Sequence, residues 1–144
     1  MPHDFTLKTM NAVHRGLRTI SGGHLGWEAA HMPVLELTTI GRKSGERRSV
    51  MLTSPYQEGD TLVIVASRGG DNHHPAWFLN LEANPAVEVS TKGNPNQKMN
   101  ARLASADERA RMWPEITKKH SNYAVYQTRT TREIPVVLLE PAEN

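Results

Sequence analysis

Apolar residues recur at Leu7, Met10, Val13, Leu17 and Ile20. Steps of three and four predict an amphipathic helix from Asp4 to Ile20, capped by Asp4 and ended by Gly22-Gly23. Its other face carries Lys8, His14, Arg15 and Arg18. Such a face is either solvated or laid on an anionic membrane surface. His24 to Met32 shows no period. After Pro33 the pattern changes. Val34 to Ile40 is β-branched and partly alternating, as a strand is. Gly41 to Arg47 turns the chain, and Arg48 to Pro55 forms a second strand. Gln57 to Asp60 is a hairpin turn. Thr61 to Ser67 is apolar at successive positions, which predicts a strand buried on both faces.

Arg68 to Asn72 is a glycine-containing loop. Pro75 to Leu81 suits a short helix, with the proline in its first turn, where a missing N–H costs nothing. Ala86 to Thr91 alternates, Gly93 to Asn96 turns, and Lys98 to Leu103 pairs back. Ser105-Ala-Asp-Glu108 is a capping box that opens a helix running to about Lys119 despite Pro114. A helical turn follows at Asn122 to Gln127, then a last strand from Ile134 to Glu140. Six strands joined mostly by hairpins favour antiparallel pairing, and closing the sheet removes exposed edges. The expected fold is mainly β: a small antiparallel barrel with peripheral helices. Residues 1–32 form a leader, and residues 33–144 form the barrel domain.

The chain has 144 residues and no cysteine. It is long enough for one core without staples. A disulfide framework, an iron–sulfur cluster and a cysteine nucleophile are excluded. The longest aliphatic runs, Leu62 to Ala66 and Val136 to Leu139, fall far short of a membrane span. No signal-peptide core opens the chain, so a cytoplasmic location is expected. Seventeen Lys and Arg against fifteen Asp and Glu leave +2. That balance does not describe a nucleic-acid binder. Four cations nevertheless fall within seven residues, at Arg42, Lys43, Arg47 and Arg48.

Three segments could carry chemistry. In Gly41 to Arg48, forked guanidinium groups, an ammonium and a serine hydroxyl can bind a phosphate or polycarboxylate; the alternative is a solvated basic hairpin. The spacing is not that of a P-loop. In Ala66 to Asn80, a buried strand runs through Ser67 into Gly69-Gly70, which allow close backbone approach. Trp77 and Asn80 then share a helix face. His73-His74 project apart and lack partner carboxylates, so no metal is expected. In the third segment Tyr123 and Tyr126 share a face and can wall an aromatic pocket or donate a proton; the alternative is packing under a surface helix.

These blocks together resemble the deazaflavin-dependent nitroreductase family, the split-barrel reductases that use coenzyme F-420. The resemblance runs from about Pro33 to Pro141. It is carried by Leu37-Thr-Thr-Ile-Gly-Arg-Lys-Ser-Gly45, Ala66-Ser-Arg-Gly-Gly70, His74-Pro-Ala-Trp-Phe-Leu-Asn-Leu-Glu-Ala-Asn-Pro85 and Tyr123-Ala-Val-Tyr-Gln-Thr-Arg-Thr-Thr-Arg-Glu-Ile-Pro135. It implies that the barrel is a split β-barrel and that F-420 is the cofactor, with FMN the lesser alternative. Arg42, Lys43 and Arg48 would hold the anionic tail, with Ser44 and Gly45 shaping that turn. Ser67, Arg68, Gly69 and Gly70 would lie along the deazaflavin, beside Trp77 and Asn80. Tyr123 and Tyr126 would border the substrate, and Ser67 or a tyrosine would stabilise or protonate the developing anion. Arg68 stands where the family usually has Lys, Arg47 where Pro is frequent, and Phe78 where Tyr is usual. His120 stands where some members of the family carry a third tyrosine, and Thr53 where an aromatic can occur.

The resemblance thus implies an F-420-dependent reductase acting on a small hydrophobic electron acceptor: a quinone, an activated enone or lactone, or a nitroaromatic. A homodimer and peripheral membrane contact through the N-terminal helix belong to the same expectation. The competing class is a split-barrel carrier that stores F-420, FMN or another anionic ligand without turnover. Nucleic acid is not an expected partner.

Overall fold

The computed structural model describes residues 28–29 and 32–142. The expected helix from Asp4 to Ile20 lies outside them. The strands are β1 (Glu28–Ala29), β2 (Met32–Ile40), β3 (Arg47–Thr53), β4 (Tyr56–Glu58), β5 (Thr61–Val65), β6 (Ala86–Thr91), β7 (Asn94–Leu103) and β8 (Val136–Pro141). The helices are α1 (Ala76–Ala83), α2 (Ala106–Lys119) and α3 (Asn122–Thr128). All pairings are antiparallel, in the order β1-β2-β6-β7-β8-β5-β4, with β3 added beside β2. The fold is a split β-barrel with peripheral helices, as expected. Closure is not complete among the described residues: β3 pairs only with β2, and β4 only with β5. Buried Ser54 turns the corner between those two edges, its hydroxyl 2.7 Å from the Val63 carbonyl.

The six expected strands are present, and two short ones join them. β1 and β4 have two and three residues, too few to show a period. The turn between β6 and β7 is tighter than expected. Thr91 pairs with Asn94, so Lys92-Gly93 reverses the chain. Asn94 to Asn96 belong to β7, and Asn96, at φ 50°, sits where the register shifts. The expected turn at Gly93 to Asn96 is therefore corrected.

The sheet is covered on two faces, and the strand sequences show why. Leu35 and Leu37 of β2 alternate inward with Ile64, Val89 and Leu139, and α1 adds Trp77, Phe78 and Leu81 to that cluster. On the other face Val63, Val65, Val136 and Leu138 meet Met112 and Ile116 of α2 and Tyr123 of α3. β5 and β8 therefore bury both faces, which explains their unbroken apolar runs. Each fully buried Leu or Ile contributes about 1.5–3 kcal/mol from area alone.

The capping box holds: the Ser105 hydroxyl accepts from the Glu108 N–H at 3.2 Å, and the Glu108 carboxylate accepts from the Ser105 N–H at 2.9 Å. α2 continues through Pro114 because Met112 and Ile116, fully buried on either side of it, anchor it to the sheet. Pro75 sits at the N-cap of α1, one position before the first helical turn.

Candidate functional site

The basic turn is a compact hairpin end. The Gly41 N–H donates to the Glu46 carbonyl at 2.7 Å, and the Gly45 N–H to the Gly41 carbonyl at 2.8 Å. Gly45 has φ 73°, where a side chain would be strained. The Ser44 hydroxyl accepts from the Glu46 N–H at 3.1 Å, so it shapes the turn. Arg42, Lys43 and Arg48 are exposed. Arg48 pairs with Glu46 at 3.3 Å. Arg47 pairs with Glu88 of β6, which holds that carboxyl below its ordinary range.

Arg42 alone is tied to the core. The Asn80 side-chain oxygen accepts from the Arg42 N–H at 3.2 Å and from its Nη1 at 3.0 Å. The Asn80 amide nitrogen lies 3.3 Å from the Thr39 hydroxyl as its donor. Asn80 and Thr39 are both buried. Asn80 therefore joins α1 to the basic turn and aims one guanidinium. Trp77, its neighbour on the helix face, packs in the core, 9% exposed and edge-on to Phe78 at 6.4 Å.

The second segment makes an unusual turn. Ser67 is right-handed at φ −79°, and Arg68, Gly69 and Gly70 follow at φ 46°, 64° and 83°. A right-handed residue followed by left-handed ones curls successive amides toward one point, a concavity suited to an anion or a polarised oxygen. Gly70 has no room for a side chain: a Cβ there would lie 2.7 Å from the Tyr126 carbonyl oxygen and 2.9 Å from Arg129 Cβ. Its smallness admits the end of α3, where ligand approach was expected. Five polar side chains are buried among the described residues: Thr39, Ser54, Ser67, Asp71 and Asn80. Ser67 is the one whose side chain makes no hydrogen bond to a described residue. Asp71 accepts from the His73 N–H at 3.1 Å, and that bond, with Arg68 close by, keeps its carboxyl below the ordinary range despite burial.

The turn is held by a residue that pattern alone did not single out. Arg132 donates to the carbonyls of Ala66, Ser67 and Asp71 at 3.2, 2.9 and 2.9 Å, and its Nη1 lies 3.1 Å from His74 Nδ1. The guanidinium can only donate, so His74 accepts through Nδ1 and carries its proton on Nε2. Burial, with Arg132 beside it, lowers the His74 pKa. The available signal for Arg132 was Pro135, which precedes β8 and has no backbone donor to offer the strand beside it.

The tyrosines differ in exposure. Tyr123 is 7% exposed, with its hydroxyl 3.8 Å from Met32 Sδ and burial raising its pKa. Tyr126 is half-buried, edge-on to Tyr123 at 6.0 Å. Arg129 stacks over the Tyr126 ring at 5.6 Å and donates to the Gly69 carbonyl at 3.3 Å. The turn and α3 thus meet directly, and Asn80 links the basic turn to α1. A cleft of about 360 Å³ beside His74, between Phe78, Leu103 and Arg109, includes neither Ser67 nor a tyrosine.

A family model described as F420H(2)-dependent quinone reductase matches residues 10–141. An F420H(2)-dependent quinone reductase of Mycobacterium tuberculosis (strain ATCC 25618 / H37Rv) is 36% identical over 137 residues, covering 92% of this chain and 88% of that one. A solved structure described as a domain-swapped dimer is 34% identical, with a TM-score of 0.68, covering 92% of this chain and 99% of that one. A solved F420-H2 dependent reductase, FDR-A, is 38% identical with a TM-score of 0.63, covering 75% and 94%.

Proposed function

Because this chain belongs to the F420H(2)-dependent quinone reductase family and is an F-420-dependent oxidoreductase, we propose that it reduces a small, apolar, electron-poor acceptor. A quinone is the first choice, ahead of an activated enone or lactone and a nitroaromatic. The observation that carries the site assignment is Ser67: a buried hydroxyl with no partner among the described residues, at the start of a turn that runs from right-handed to left-handed backbone. A buried polar group left unpaired costs about 1–3 kcal/mol, and a bound oxygen removes that cost.

The residues present suit F-420. Arg42, Lys43 and Arg48 offer an exposed cationic edge for its anionic tail, with Arg42 aimed by Asn80 and the turn shaped by Ser44 and Gly45. Ser67, Arg68 and Gly69 offer the approach for its ring and ribityl chain, while Gly70 seats α3 against the turn and Trp77 and Asn80 brace the adjoining helix. When bound in reduced form, F-420 supplies a hydride, chemistry that this cysteine-free chain lacks. The chain's own part is orientation and proton handling. The Ser67 hydroxyl donates to the acceptor oxygen as charge develops there. Tyr126, with solvent behind it, delivers the proton that completes reduction to the hydroquinone. Tyr123 sets the Tyr126 ring from beneath.

The test mixes the protein with reduced F-420 and, separately, a menaquinone, a coumarin-type enone and a nitroimidazole. Cofactor oxidation above the blank is expected with the quinone at least. Tight F-420 binding without oxidation of any acceptor would return the carrier reading, and preference for FMN in titration would move the cofactor assignment.

We propose the division of the chain into a leader over residues 1–32 and a barrel over 33–144, with the end of the leader, β1 and Met32, joined to the barrel's sheet. We also propose a cytoplasmic protein that touches the membrane peripherally, on the basic and apolar faces of the Asp4 to Ile20 pattern. No helix of the described residues is long and apolar enough to cross a membrane. Flotation of the full chain with phosphatidylglycerol vesicles, lost on replacing Lys8, Arg15 and Arg18 by Ser, is the expected result. A homodimer is proposed from the likeness to the domain-swapped dimer, and light scattering after size exclusion checks it.

A further inference from the structure

β5 stops at Val65 for a covalent reason. The Ala66 N–H donates to the Pro135 carbonyl at 2.9 Å. In an antiparallel pair the partner returns the bond, but Pro135 has no N–H to return. The Ala66 carbonyl belongs to a residue with no solvent exposure and needs a donor. Arg132 Nη1 supplies it at 3.2 Å. The same guanidinium reaches the Ser67 carbonyl through Nη2 and the Asp71 carbonyl through Nε, each at 2.9 Å. It therefore grips the turn where it leaves the sheet and again where it ends.

Between those grips lie Arg68, Gly69 and Gly70, all with positive φ. A non-glycine residue stays left-handed only where its surroundings over-determine it. The Ser67 carbonyl accepts from both the Gly70 N–H, at 2.9 Å, and Arg132. Two donors fix the peptide plane that follows Ser67, and with it the direction of the Ser67 Cα–Cβ bond that carries the hydroxyl.

We propose that Arg132 is a positioning residue for hydride transfer. It replaces the ladder donor missing at Pro135 and holds the Ser67-to-Asp71 turn so that the Ser67 hydroxyl faces the reacting centre. This rests on the role given to Ser67 above. Arg132 touches neither substrate nor cofactor in this scheme and acts through the carbonyls it holds.

The experiment compares the full chain with Arg132→Ala, Pro135→Ala and the double variant. Pro135→Ala returns a donor to the Ala66 carbonyl but leaves the Ser67 and Asp71 carbonyls uncovered when Arg132 is absent. The readouts are the urea midpoint, kcat and KM for menadione with reduced F-420, and amide exchange over residues 67–71. Arg132→Ala is expected to lower the midpoint and to lower kcat by about tenfold or more, with KM changed less than about threefold. The double variant is expected to regain most of the midpoint but not kcat, and to exchange the 67–71 amides faster than wild type. Recovery of kcat along with the midpoint overturns the proposal, since Arg132 would then serve stability alone. If wild type oxidises no reduced F-420, the functional reading fails separately. Amide exchange then decides: unchanged protection over 67–71 in the double variant overturns the positioning role. Should Arg132→Ala not fold, Arg132→Lys, which cannot span all three carbonyls from one ammonium, takes its place in the same comparison.

Discussion

Gly45→Ala and Gly70→Ala form a matched pair that separates backbone strain from steric exclusion. Both glycines are left-handed, at φ 73° and 83°. In both variants the unfolded chain loses freedom, which by itself stabilises by about 0.4–1 kcal/mol. In both, an L-residue in the left-handed region costs about 1–2 kcal/mol. The two sites differ in the space available. A Cβ at Gly45 meets nothing within 4 Å, whereas one at Gly70 lies 2.7 Å from the Tyr126 carbonyl oxygen and 2.9 Å from Arg129 Cβ. That oxygen is backbone at the end of α3 and cannot rotate away. Relief requires α3 to move off the turn, an overpacking cost of about 1–3 kcal/mol. Gly45→Ala should therefore lose roughly 0–1.5 kcal/mol, and Gly70→Ala about 1–3 kcal/mol more. Urea unfolding followed by tryptophan fluorescence measures both, and the slopes should agree with wild type for the comparison to hold. Equal losses in the two variants would refute the claim that Gly70 is glycine because α3 packs against it. F-420-dependent turnover should fall with Gly70→Ala, because the displaced helix carries Tyr126.

Replacing Arg42 and Lys43 together by Ala should leave folding intact and weaken F-420 binding, by up to about 1.5–3 kcal/mol for each charge-assisted hydrogen bond removed. Fluorescence titration of the cofactor reads this, and an unchanged affinity means that the tail lies elsewhere. Asn80→Ala should cost about 1–3 kcal/mol of stability through its missing buried hydrogen bonds, and should also weaken F-420 binding with Arg42 still present. Unfolding and titration together test that pair. Glu108, held by Arg102 and the Ser105 N–H, titrates at about 2 in the fold against 4.5 in its absence. Its depressed pKa stabilises the fold above pH 4.5, and that contribution disappears as pH falls from 4.5 toward 2. Wild type should lose stability faster than Glu108→Gln across that window, and parallel pH profiles would count against the assignment.

Local chemistry carried much of the architecture. The Ser105 capping box, the alternation of Ala86 to Thr91 and the unbroken apolar runs of β5 and β8 each depend on neighbours within a few residues. β1 and β4 were not legible, because two or three residues show no period and their pairing comes from the strands beside them. Spacing puts Trp77 on a face with Asn80 and Tyr123 on a face with Tyr126, and the fold packs Trp77 and Tyr123 into its two apolar clusters. Spacing places side chains on a shared face but does not say what that face meets.

The sequence by itself determined a cysteine-free, antiparallel, mainly β chain whose cations cluster in one hairpin turn. Those properties are additive and local. Tertiary structure alone decided which polar groups are satisfied. Sheet order brought Asn80 to Arg42 across 38 residues, and Arg132 to Ser67 across 65. Arg132 became the donor that Pro135 lacks, and Ser67 was left as the buried hydroxyl without a partner among the described residues. Burial sets the cost of an unmade hydrogen bond, and burial exists only once the strands have paired.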